Sequence, residues 1–118
     1  MKNRLKDILS SRDNVQFAYL FGSYARGDER ENSDVDIAVY LESSSLDKRL
    51  EVHHALEVAL KKDVDLVLLN EVKSMPLLES ILKEGILLKD AEERPFFEVK
   101  KNHEIIDFKN FKRYIDAA

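Results

Sequence analysis

The chain has 118 residues, a net charge of −4 and no cysteine. This length suits one domain with a modest core. The acidic balance argues against a generic DNA- or RNA-binding surface, whose footprint is basic, and the lack of cysteine excludes disulfides and thiol catalysis. No apolar run approaches the roughly 18 residues of a membrane helix, and no signal-peptide core follows the first residues. A cytoplasmic protein without direct nucleic-acid or membrane contact is expected.

In chain order, residues 2–11 read as a helix burying Leu5, Ile8 and Leu9 at i, i+3, i+4. Polar residues 10–14 end it. Val15–Phe21 is a short apolar run rich in aromatic residues, the pattern of a buried strand. Gly22 and Ser23 follow, and Ser23-Tyr24-Ala25-Arg26 can start a short helix that Gly27 ends in a left-handed conformation. A second apolar run, Val35–Leu41, is the next strand. Ser45 caps a helix from 46 to about 62, predicted to bury Leu46, Leu50, Leu56 and Leu60. A third strand near 64–69 follows directly, and this β-α-β alternation favours parallel neighbours. Ser74 and Pro76 open another helix, lined by Leu78, Ile81 and Leu82 and ended by Gly85. Residues 86–88 form a short last strand.

Residues 91–118 change character and hold Phe96, Phe97, Phe108, Phe111 and Tyr114. The chain thus divides into a core, 1–90, and a helical, aromatic extension, 91–118, packed on the core or on a partner. Arg94-Pro95 marks the boundary, since a residue before proline disfavours helix. The late aromatic residues suit a terminal helix packed on the sheet; exposed, they would mark an interface.

The chemistry concentrates around residues 22–36. A glycine turn lets backbone approach a ligand closely, and a helix N-terminus offers free N–H groups to phosphate. Ser23 adds a hydroxyl donor. Asp34 and Asp36, two apart on a strand, project from one face. Paired carboxylates suit a hard cation such as Mg2+, which takes oxygen ligands at about 2.0–2.1 Å. Gly22 and Gly27 have P-loop spacing, but Asp28 and Glu29 stand where Lys and Ser/Thr are required, so that assignment is rejected. Asp63 and Asp65 open the third strand. One of them would complete a three-carboxylate set able to hold two cations or accept a proton from an attacking hydroxyl. Asp65 is favoured because it lies deeper in the apolar run. His53 and His54, adjacent on a helix, make a poor metal pair and read as structural, as does His103. Tyr24 stands between base stacking and core filling, and Lys61, Lys62, Lys100 and Lys101 read as solvated.

Phe-Gly-Ser-Tyr-Ala-Arg-Gly, Ser-Asp-Val-Asp-Ile and Asp-Val-Asp-Leu-Val together resemble the signature of the DNA polymerase beta-type nucleotidyltransferase superfamily. The short length and Ala-Arg-Gly loop are most similar to its minimal nucleotidyltransferases (MNT), many of them antitoxins of HEPN ribonuclease toxins. The resemblance covers roughly residues 15–90. It implies a small single-domain α/β nucleotidyltransferase fold, a mixed central sheet flanked by helices. By it, Gly22 and Ser23 bind the nucleotide triphosphate, Asp34 and Asp36 hold metal, and Asp65 completes the triad. Arg26 matches the loop pattern, either touching phosphate or making a structural salt bridge. The implied reaction is Mg2+- or Mn2+-dependent transfer of AMP from ATP to a HEPN toxin tyrosine. Two alternatives are a non-catalytic antitoxin that blocks its partner by contact and a nucleotidyltransferase of a small hydroxylated molecule.

Overall fold

The computed structural model describes residues 1–117; the last residue of the 91–118 extension lies outside the described residues. Nine elements follow in order: α1 (Lys2–Ser10), β1 (Val15–Phe21), α2 (Ser23–Arg26), β2 (Val35–Leu41), α3 (Leu46–Leu60), β3 (Val64–Leu68), α4 (Met75–Glu84), β4 (Ile86–Lys89) and α5 (Glu93–Ala117). The sheet order is β3-β2-β1-β4. β1 is antiparallel to both neighbours, and β2 and β3 are parallel, so the sheet is mixed. The parallel pair is the one joined by α3, as a helical crossover requires.

Strand alternation divides the core between the two sheet faces. Val35, Ile37, Val39 and Leu41 of β2 join Leu5 and Leu9 of α1 and Val52 and Leu56 of α3. Phe17, Tyr19 and Phe21 of β1 join Ala38 of β2, Leu78 and Ile81 of α4 and Ile105 of α5. A register shift between Val15 and Phe17 sets this alternation along β1. Helices cover both faces, which is why β1 is almost wholly buried.

Several local expectations need correction. Leu46 and Leu50 are exposed on α3, and Val52 and Leu56 carry its buried face. Spacing identifies a stripe on a helix but not which stripe meets the sheet. Gly85 follows α4 in an extended conformation, φ −66° and ψ 144°, because β4 begins at the next residue. Its small size matters instead, since a Cβ there would meet the Ile81 carbonyl and the Tyr19 ring. Pro95 lies in the first turn of α5, where a missing N–H is tolerated. Lys101 is half-buried, pairing with Glu104 at 3.0 Å and lying 5.8 Å from the Phe97 ring centre.

Candidate active site

Phe21 ends β1 opposite Asp36 of β2. Gly22 then turns the chain with φ 72°, a left-handed value that disfavours other residues. Ser23–Arg26 form the single helical turn α2, which Gly27 closes at φ 80°. The first N–H groups of such a turn have no helical acceptor. The Asp36 carboxylate rests directly against the turn: a Cβ at position 22 would collide with Asp36 Oδ2. The glycine turn and the acidic strand therefore form one place in the fold.

Asp36 is paired in register with Asp65 across the parallel β2–β3 ladder. One step earlier, Val35 donates its N–H to the Asp63 carbonyl at 3.0 Å, which sets Asp63 beside Asp34. Asp63 precedes β3, and Asp65 is the acid opposite Asp36. Asp36 is half-buried, whereas Asp34, Asp63 and Asp65 are exposed. Burial pushes the Asp36 carboxyl up to about 6; Asp65, within hydrogen-bonding reach, adds to this, Asp34 adds less, and Arg26 opposes it. Among the described residues, no three of His, Cys, Asp and Glu form a gathered metal-binding cluster. Of the three expected acids, Asp36 and Asp65 face each other directly, and the charge of Asp34 acts on Asp36 more weakly.

This donor set fits a divalent cation. It consists of hard oxygens at the sheet end, partly exposed so that water and phosphate can fill the remaining positions. The proton-binding tendency of Asp36 fits too, since a cation would neutralise the charge that burial penalises.

Arg26 bonds Asp28 Oδ2 at 3.2 Å and lies 3.6 Å from Glu84 Oε2 of α4. Of the two roles open to it, the structure shows the salt bridge. Tyr24 is half-buried against the core beside α1 and α3, so it fills space. His54 and His103 are exposed, and Lys61 and Lys62 are solvated.

Two positioning side chains are less evident from sequence. β3 is an edge strand, and the outward backbone groups of Val64 have no strand beside them. Glu57 accepts the Val64 N–H at 3.0 Å, and His53 Nε2 lies 2.7 Å from the Val64 carbonyl. Both come from one face of α3, four residues apart, and hold the strand between Asp63 and Asp65. Their i, i+4 spacing just before β3 is the only sequence signal.

The family model "Polymerase beta, Nucleotidyltransferase" matches residues 3–94. The chain is 42% identical to "Protein adenylyltransferase MntA" of Shewanella oneidensis, over 70% of this chain and 62% of that protein, so the match spans less than two thirds of that relative. A chain of a toxin–antitoxin crystal structure with AMP-PNP superimposes with TM-score 0.81 at 30% identity, covering 98% of this chain and 95% of that one. A chain from the structure of a tri-AMPylated Shewanella oneidensis HEPN toxin in complex with an MNT antitoxin gives 0.74 at 27% identity, covering 99% and 97%. With the sheet order, the glycine turn and the facing carboxylates in place, this chain belongs to the polymerase beta-type nucleotidyltransferase family.

Proposed function

We propose that this chain is a metal-dependent protein adenylyltransferase that moves AMP from ATP onto a tyrosine hydroxyl of a cytoplasmic HEPN ribonuclease toxin, acting as its antitoxin. The observation that carries this reading is the Asp36 carboxylate, which faces Asp65 across the ladder while resting on Gly22. Acids suited to a cation thus adjoin a turn suited to phosphate. The named adenylyltransferase relative supports AMP as the transferred group, and the toxin-bound structural relatives support the partner.

In this reading, the backbone at Gly22 and the Ser23 hydroxyl hold the triphosphate. Asp34, Asp36 and Asp65 would hold Mg2+, which supplies charge neutralisation for the phosphates. The acceptor oxygen attacks the α-phosphorus and its proton passes to Asp65. The bond from that phosphorus to the bridging oxygen breaks, and pyrophosphate leaves with the electron pair. Orientation and charge compensation lower the barrier. Arg26, held by Asp28 and Glu84, braces α2.

The test uses ATP labelled at the α-phosphate, Mg2+ and a purified HEPN-type ribonuclease from the same genome. The wild type should leave label on the ribonuclease, and Asp36→Asn should slow this at least about 100-fold, the scale of losing one preorganised electrostatic group. Neutralisation of the ribonuclease without label would favour the contact-only antitoxin. Label transferred only to a small molecule would favour the other alternative.

A further inference from the structure

The inward face of α5 carries Phe97 and Ile105, which pack on the core beneath the sheet. The same stripe continues at helical spacing through Phe108, the stem of Lys112 and Ile115, with Phe111 at its edge. There it is largely exposed. Lys109 pairs with Glu79 of α4, and every residue of 106–117 is exposed. Phe108 is 41% exposed, Phe111 63% and Ile115 52%, on the side that is buried at Ile105. Ile106 and Tyr114 add exposed apolar surface elsewhere on this stretch.

Shape agrees with an overhang. The 25-residue helix is about 37 Å long. The radius of gyration is 15.2 Å, against roughly 13.5 Å expected for a compact domain of this length. An unsupported helical stretch of this length is marginal in water, where helices are held mainly by packing of an apolar face.

What covers it is indicated by where the likeness to other proteins stops. The nucleotidyltransferase family model ends at residue 94, as α5 begins. The chains from toxin–antitoxin structures cover 98% and 99% of this chain, so their match extends through α5. The helix is thus extra to the family domain and common to chains solved with a toxin.

We propose that residues 106–117 of α5 form the arm that holds the toxin, laying Phe108, Phe111 and Ile115 into an apolar groove of that protein. This rests on the toxin-modifying function proposed above. It adds that affinity resides in the arm while chemistry resides at the carboxylates, with the helix docking by one face.

The experiment compares the full-length wild type with Phe108→Ser/Phe111→Ser and with Ile115→Ser, using a purified HEPN-type ribonuclease from the same genome. Melting temperature and Mg2+-dependent AMP-PNP binding are measured first and should be unchanged, because these side chains are exposed. Calorimetry should then show the double variant binding the ribonuclease at least about tenfold more weakly. AMP transfer should show a raised KM with kcat retained. Equal affinity for wild type and double variant overturns the arm, even if the wild type transfers AMP and the proposed function stands. A wild type that neither binds nor labels the ribonuclease overturns both. If the variants lose self-association in light scattering but keep ribonuclease affinity, the arm belongs to a second copy of this chain and the proposal fails.

Discussion

Asp36 binds a proton more readily in the folded chain than an ordinary carboxylate does, chiefly through burial and then through Asp65. Its folded pKa is raised, so the folded state holds the extra proton between about pH 4 and about pH 6. The resulting stability is fully present below about pH 4 and is lost as pH rises through 6. Asp36 is only half-buried, so screening reduces the effect to about 1 kcal/mol. Asp36→Asn should accordingly melt a few degrees higher than the metal-free wild type at pH 7. Added Mg2+ should raise the wild-type melting temperature by mass action and leave Asp36→Asn unmoved; an equal response in both would argue against this site. At Gly22 the constraint is steric as well as conformational. Gly22→Ala should cost about 1–3 kcal/mol, from the positive φ and the displaced Asp36 carboxylate. Denaturant unfolding measures this loss, and AMP-PNP titration should show weaker binding.

At the scale of elements, the lead of β3 depends on α3. Glu57 and His53 satisfy the two outward backbone groups of Val64 at a sheet edge. Glu57→Ala should destabilise the chain by about 1–3 kcal/mol, since it leaves a partly buried N–H unpaired. Mg2+ affinity should fall with it as Asp65 loses its fixed place; urea unfolding and metal titration check both. Glu57→Gln keeps an acceptor oxygen and should restore most of the loss. These dependences explain what was legible in the sequence. Gly22, Ser23, Asp34 and Asp36 stand out because a turn and a strand face are local patterns. The choice between Asp63 and Asp65 was only a preference, because it turns on register between two strands. Leu46 and Leu50 stand exposed where spacing predicts burial, because helical period is the same whichever stripe packs.

For the whole molecule, the proposed chemistry and the proposed toxin contact fall in different regions. The acids and the glycine turn lie at one end of a mixed sheet, and the last turns of α5, exposed beyond Ile105, lie on the face that α4 covers. Deleting residues 110–118 should change stability by no more than about 0.5 kcal/mol, because none of the described residues there is buried. Thermal unfolding reads this directly, and a large loss would mean that the helix end supports the core. The central claim is transfer of AMP to a protein hydroxyl at Asp34, Asp36 and Asp65. The intact mass of a HEPN-type ribonuclease from the same genome, measured after incubation with the chain, ATP and Mg2+, tests it most directly. The account predicts a gain of one or more AMP units on a tyrosine with the wild type and none with Asp34→Asn/Asp36→Asn. An unchanged mass with the wild type, with the ribonuclease silenced equally by the double variant, would contradict it.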